Sequence, residues 1–371
     1  MTSKNSRRSI LKKTAAGAVL TFGASTIQSK NTQAKELSYR IPPPNEQSPS
    51  ANKDWWYPGA PKNNKPNLIP GETPIRLSAW ASNNLLNYPK DGDIPGMVKR
   101  IRDMGYTAAT GYCRLGDRNP WLDATDSEVR ELKDALNIHD LLYFDIGLWM
   151  NPIHPDPVLR EQSIKYICEQ MEVGARLGVP SVTGNTGSRH KHPTNHGLMH
   201  PDTWTGEVWD LTVKTFQRIF RDTAGYDTKW ALEARITTNV NTPIAHTRLI
   251  EDIGDKRMAV CLAPARMVEY SNYFNSTGIL LECFDRFGEL FLHGRAKDYI
   301  ASLTTGESYL KIDKVLPGEG LQDYETYLLL LSRMKRPRTI NIGAGYKPEE
   351  YKRAIRFIHE TAERVGVTMY L

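Results

Sequence analysis

The chain has 371 residues, 40% of them hydrophobic, with 48 Lys and Arg against 42 Asp and Glu and a formal net charge of +6. That length and apolar content suffice for one large domain with a full core. The charge is uneven: residues 1–34 carry six basic residues (Lys4, Arg7, Arg8, Lys12, Lys13, Lys30) and no acid, so the remainder is formally neutral. This argues against nucleic acid and against an anionic membrane surface as partners.

In chain order, Ser6-Arg7-Arg8-Ser9-Ile10-Leu11-Lys12 reads as a twin-arginine export motif, with Ile10 where Phe is commoner. The stretch 14–27 that follows is too short and too weakly apolar for a membrane span, and Thr32-Gln33-Ala34 is a small-x-Ala cleavage site. Residues 1–34 are therefore read as a signal peptide, and the expected location is periplasmic or extracellular. Residues 35–74 form a Pro- and Asn-rich extension containing Pro42-Pro43-Pro44 and the aromatic cluster Trp55-Trp56-Tyr57, read as packing onto the domain that follows.

Residues 75–371 form that domain. Short apolar runs at 75–81, 106–112, 141–148, 179–185, 229–234, 257–262, 290–296 and 339–343 predict strands. Helices are predicted over 126–137, 157–177, 206–224, 243–253, 278–287, 322–334 and 347–365; in the last, Tyr351, Ile355, Ile358 and Ala362 recur at helical spacing after Pro348. Strand and helix in strict turn give a parallel sheet, and eight such units in about 300 residues fit a closed (β/α)8 TIM barrel. A doubly wound sheet is the alternative, but no Gly-rich dinucleotide fingerprint follows the first strand. Cys113, Cys168, Cys261 and Cys283 lack metal-ligand spacing and read as free thiols.

Glu233, after Trp230-Ala231-Leu232, ends the fifth strand, where a barrel places residues at its active-site mouth. Several further stretches recur in a characteristic order. They are Gly184-Asn185-Thr186-Gly187-Ser188 leading to His200-Pro201-Asp202, Ala231-Leu232-Glu233-Ala234 with Asn241-Thr242-Pro243, and Ala296-Lys297-Asp298. Pro317-Gly318-Glu319-Gly320 and Pro348-Glu349-Glu350-Tyr351 complete the set. With these, the chain from about residue 75 onward resembles the xylose-isomerase-like barrels, the sugar phosphate isomerase/epimerase group.

The resemblance implies a carbohydrate or polyol substrate, proton transfer next to a carbonyl, and one divalent metal (Mn, Mg or Zn) at the mouth. Its ligands would be two Glu, an Asp and a His or Gln from the fifth to eighth strands. Carried over by position, the first Glu is Glu233, the Asp position falls on Ala263, the His position on Arg295 with His293 two residues deeper, and the last Glu near Gly343. A substrate-contacting His position falls on Arg266. Three of the four metal ligands are thus replaced, and a hard cation needs several oxygen ligands.

Three readings follow. In the first, a metal-free isomerase, epimerase or lyase, Glu233 is the acid/base and Arg295, Arg266 and Lys297 stabilise an enolate or a carboxylate. Gly343-Ala344-Gly345 would cradle an anion through Gly343 and Gly345, and an exported enzyme would meet uronates or sulfated sugars. In the second, three imidazoles from the loop that carries His190, His192, His196 and His200, taken as His192, His196 and His200, bind Zn²⁺ together with Glu233. In the third, a non-catalytic carbohydrate-binding barrel uses Trp80, Trp149 and Trp204 as stacking faces. His200, Glu319 and Asp298 are further candidates for substrate contact, with Asp145, Arg114 and Asp117 as mouth or interior polar residues. No Ser-His-Asp order and no phosphate loop is present, and the oligomeric state stays open.

Overall fold

The computed structural model describes residues 66–80, 85–113, 120–304, 309–336 and 338–370. The export motif, most of the extension with its aromatic cluster, the Cys113 side chain, Arg114 and Asp117 lie outside the described residues. Eight strands form one parallel sheet: β1 (Ile75–Ala79), β2 (Ala108–Cys113), β3 (Leu142–Leu148), β4 (Ser181–Gly184), β5 (Lys229–Glu233), β6 (Met258–Leu262), β7 (Phe291–Ala296) and β10 (Arg338–Ile342). Their order is β1-β10-β7-β6-β5-β4-β3-β2. Across the remaining seam, Thr107 N–H donates to the Leu77 carbonyl at 3.1 Å and Leu77 N–H to the Thr107 hydroxyl at 3.0 Å, so the barrel is nearly closed. A doubly wound sheet would leave two open edges, and this seam excludes it.

The helices follow the strands as the apolar spacing predicts: α2 (Asp126–Ile138), α3 (Pro157–Leu177), α4 (Gly206–Asp222), α5 (Pro243–Ile253), α6 (Ser276–Phe287), α7 (Tyr324–Ser332) and α8 (Pro348–Arg364). Local chemistry sets their ends. The Asp156 carboxylate caps α3 by accepting from Val158 N–H at 2.7 Å, Pro157 opens it, and Gly178 at φ 76° closes it. No helix among the described residues is long and apolar enough to cross a membrane. Cys168, Cys261 and Cys283 are free thiols.

Two elements go beyond the sequence reading. Helix α1 (Ile94–Asp103) buries Ile94, Met97, Val98 and Ile101, a spacing of three and four that is legible in hindsight. The second element is an antiparallel hairpin, β8 (Asp298–Leu303) with β9 (Leu310–Val315), inserted between β7 and α7 where the sequence predicts only loop. Asp298 organises its base. The buried carboxylate accepts from four backbone N–H groups: Tyr299 at 2.8 Å, Gly318 at 2.9 Å, Gly320 at 3.1 Å and Gln322 at 2.9 Å. The hairpin thus rises directly from the C-terminal end of β7 beside the barrel mouth.

The barrel interior changes character along its axis. Outward-facing residues such as Trp230, Phe216 and Phe220 fill the strand–helix layer. The inward-facing layer near the mouth is polar instead, built from Ser78, Asp145, Thr183, Glu233, Arg295 and Asn341, all buried. Gly147 on β3 belongs to the same region. A Cβ there would lie 2.0 Å from the Trp80 ring, so the missing side chain is what lets that indole reach over the barrel opening.

Candidate active site

Glu233 stands at the C-terminal end of β5 and is 1% exposed. Three cations converge on it. The Arg295 Nε donates to Oε2 at 3.2 Å and the Lys297 Nζ to Oε1 at 3.2 Å. Arg266 Nε lies 2.8 Å from Oε1 as an ion pair without hydrogen-bond alignment, which leaves that N–H without a hydrogen-bond partner. Cys261 Sγ is 3.8 Å from Oε2. These residues are brought together by register: β5, β6 and β7 are neighbours, and Arg295 and Lys297 are two apart on or just past β7, so both face inward.

Arg295 is the keystone of a buried layer. Its Nη1 donates to the Asn341 side-chain oxygen at 3.1 Å and its Nη2 to Asp145 Oδ2 at 3.4 Å. Asn341 in turn donates to the Ser78 hydroxyl at 3.0 Å. Asp145 also accepts from the Ser181 and Thr183 hydroxyls at 3.1 and 2.7 Å. The guanidinium carbon sits 5.2 Å from the Trp80 ring centroid, a cation–π contact. Every fork of this guanidinium is committed, and the layer holds two carboxylates against three cations.

The ionisation of the site follows from burial set against these neighbours. For Glu233 burial pushes the carboxyl up, but Lys297, Arg266 and Arg295 outweigh it and hold the group far below the usual carboxylate range. Burial pushes Asp145 up to about 6, opposed by Arg295 and the Thr183 and Ser181 hydrogen bonds. Burial pushes the Lys297 amine down to about 7; Glu233 raises it, while Arg266 and Arg295 lower it again. The Lys297 side chain is 14% exposed and lines the cavity. Glu233 is therefore a firmly charged counter-ion and a weak base, while Lys297 at the cavity and Asp145 deeper in the layer can gain or lose a proton near neutrality.

A cavity of about 920 Å³ opens above this layer. Arg235, Arg266, Lys297 and Lys314 bring positive charge to it, partly offset by Glu269 and Asp313, and Trp80, Tyr112 and Trp149 form one wall. Burial and Arg266 push Arg235 down to about 10; its Nη1 lies 3.1 Å from His196 Nε2. Arg235 escaped the sequence reading although it is two residues past Glu233 and so shares its face. Lys314 carried no sequence signal, because it belongs to the hairpin.

The other candidates separate into those at the cavity and those elsewhere. Trp149, Arg266, Arg295, Lys297 and Gly343 line it. Asp298 borders it, but its oxygens are taken by the four backbone donors, so it shapes the loop rather than contacting substrate. His293 lies deeper, 1% exposed, 3.1 Å from the Thr183 hydroxyl and edge-on to Phe144 at 5.0 Å; burial and then Arg295 hold it neutral. Glu319 pairs with Arg353 at 3.2 Å, away from the cavity lining. Gly345 is a turn residue at φ 90°, and the Glu350 carboxylate takes the Lys347 N–H at 2.6 Å, which disfavours an anion at the start of α8. Trp204 is exposed on a short turn, outside the lining.

The loop histidines do not form one site. His196 stacks on Trp149 with ring centroids 5.7 Å apart, and burial, then Arg235, pushes it down to about 4. His200 Nδ1 accepts from Asp202 N–H at 3.4 Å, and His192 Nδ1 from Asn195 N–H at 3.0 Å. His190 Nδ1 accepts from His192 N–H at 3.1 Å. Three of the four rings thus cap their own loop. Among the described residues no group of three or more His, Cys, Asp or Glu side chains could hold a metal ion. The position implied for a divalent ion at Glu233 does not fit one either: three cations surround that carboxylate, and the neighbouring strand ends offer Ala263 and Gly343.

Comparison with known proteins places this geometry in context. The model of the xylose isomerase-like TIM barrel family matches residues 98–361. No curated protein sequence matches the chain. Among solved structures, a xylose isomerase domain protein from Planctomyces limnophilus aligns with a TM-score of 0.56 at 12% identity, covering 80% of this chain and 99% of its own. A xylose isomerase-like TIM barrel protein from Mycobacterium smegmatis, solved in complex with magnesium, aligns at 0.57 and 12% identity, covering 79% and 97%. D-psicose 3-epimerase from Clostridium cellulolyticum H10, solved with D-tagatose, aligns at 0.56 and 12% identity, covering 79% and 100%. The chain belongs to the xylose isomerase-like TIM barrel family.

Proposed function

We propose that this member of the xylose isomerase-like TIM barrel family binds an acidic carbohydrate and moves a proton next to its carbonyl, as an isomerase, an epimerase or an eliminating lyase, without the divalent metal that the resemblance implies. The carrying observation is the convergence of Arg266, Arg295 and Lys297 on the single buried carboxylate of Glu233 at the cavity floor. The epimerase among its structural neighbours supports the reaction class, and the cationic lining supports the charge of the substrate.

In this reading Arg266, 31% exposed and only ion-paired, takes the substrate carboxylate or sulfate. The neutral Lys297 amine accepts the proton α to the carbonyl; the electron pair of that C–H bond becomes an enolate whose charge Arg266 and Arg295 offset. Return of the proton from the Lys297 ammonium to the neighbouring carbon, with the enediol hydroxyl proton passing to the former carbonyl oxygen, gives the isomer. Protonation of the opposite face by water, with Lys297 then releasing its proton to solvent, gives the epimer. Departure of a β-substituent with its bonding electrons, protonated by the Lys297 ammonium, gives the elimination product. Glu233 is a positioning residue that holds the three cations in place.

Solvent exchange tests this reading. In D2O, NMR should show deuterium entering the α-position of a suitable uronate, with the rate falling at least a hundredfold in Lys297→Met and the Lys297→Arg variant failing to rescue it. Exchange undiminished in Lys297→Met would defeat the assignment. Binding without exchange would favour the alternative of a non-catalytic carbohydrate-binding barrel, which the saturation of Glu233 by cations supports. We further propose export by the twin-arginine route from Ser6-Arg7-Arg8. Arg7→Lys with Arg8→Lys should retain the protein in the cytoplasm on fractionation, and unchanged export would refute it.

A further inference from the structure

The cavity has two apolar walls. On one side Trp80, Tyr112 and Trp149 follow or end β1, β2 and β3; Trp80 lies 5.2 Å from Tyr112 and 6.0 Å from Trp149, ring centroid to centroid. On the other side Tyr270 comes from the segment after β6, and Leu310 and Ile312 come from the inserted hairpin. In the strand order β1-β10-β7-β6-β5-β4-β3-β2, β2 and β3 stand diametrically across from β6 and β7. The two walls therefore face each other over the mouth, with Arg266 and Lys297 on the floor beneath.

The hairpin wall is joined to its surroundings: the Tyr270 hydroxyl accepts from Leu310 N–H at 2.8 Å, while the Tyr270 residue remains 59% exposed at the rim. Size points the same way. Pockets for drug-sized ligands run from about 300 to 1,000 Å³, and this one, at about 920 Å³, is near the upper end. Aromatic faces stack on sugar rings and apolar side chains pack against their C–H faces. Arg266 and Lys297 meet at the same Glu233 oxygen, so a charged ring held on this floor against Trp80 leaves the hairpin wall free for a second ring.

We infer that the site takes an acidic glycoside, a charged sugar ring linked to at least one further sugar, rather than a free monosaccharide. This rests on the anion reading proposed above and adds a second subsite formed by Tyr270, Leu310 and Ile312. Calorimetric titration with glucuronate, cellobiouronate (the same acid ring carrying one glucose) and cellobiose separates the two ideas. The subsite predicts cellobiouronate binding at least tenfold tighter than glucuronate, and the ratio falling toward one in a Leu310→Ser/Ile312→Ser variant. If that variant fails to fold, as its melting curve will tell, Tyr270→Ser gives the same readout.

Equal affinity for glucuronate and cellobiouronate would overturn the second subsite while leaving the anion reading intact. Cellobiose binding as well as either acid would overturn the anion reading and the inference with it. A gain for phenyl β-glucuronide without one for cellobiouronate would replace the second sugar by an aryl group.

Discussion

Removing the charge of Glu233 while keeping its shape is the most informative perturbation of this site. In Glu233→Gln the three cations, 2.8, 3.2 and 3.2 Å from the carboxylate oxygens, lose their shared counter-ion. Breaking a buried ion pair by removing one partner costs about 3–5 kcal/mol, because the remaining charge stays desolvated. Arg266 and, less so, Lys297 are partly open to water, which relieves part of that cost, while Arg295 keeps Asp145 as a partner. The lower end, about 3 kcal/mol, is therefore expected. At about 2 °C per kcal/mol for a domain of this size, the melting temperature should fall by about 6 °C. A bound anion would replace the lost charge, so glucuronate at a hundred times its Kd should restore about 2.7 kcal/mol. Differential scanning calorimetry with and without the acid reads both effects. A variant that melts with the wild type, or that glucuronate rescues no better than glucose does, would refute the role assigned to Glu233.

Further outcomes follow from individual groups. Lys297 is an ammonium below about pH 7 and a neutral amine above it, so affinity for an acidic sugar should fall as pH rises through that value, and Lys297→Met should flatten the profile in titration calorimetry. The same depressed amine has a stability signature: between about pH 7 and the ordinary lysine value near 10.4 the unfolded chain binds a proton that the folded chain does not, so its contribution to stability rises with pH across that window. Asp298→Ala removes the acceptor of four backbone N–H groups, and the loss should appear as faster amide exchange at Gly318, Gly320 and Gln322, with about 2–3 kcal/mol of destabilisation.

The architecture was open to sequence reading because its signals are periodic. All eight barrel strands and seven flanking helices announce themselves by apolar spacing, and Pro and Asp at helix starts mark where they begin. The hairpin did not, since β9 alternates only in part, Leu310-Lys311-Ile312-Asp313, and its base is set by the long-range bonds of Asp298. The site divides along the same line. Glu233 was accessible from its place at a strand end, and Arg266, Arg295 and Lys297 from the positions and the motif that the family resemblance carries onto them. Asp298, Glu319 and Gly345 looked equally polar or permissive in sequence, but their environments are set by partners 20 to 34 residues away or by a turn, which no local pattern encodes.

Whether Arg266 and Lys297 make this barrel an acceptor of acidic sugars can be measured directly. Titration calorimetry of metal-stripped protein with galacturonate and with galactose isolates the carboxylate from the rest of the ring. The account predicts that galacturonate binds without added metal, at least tenfold more tightly than galactose, and that Arg266→Ala removes the difference. Equal affinity for the two sugars, or binding that appears only when Mn²⁺ or Mg²⁺ is restored, would contradict it.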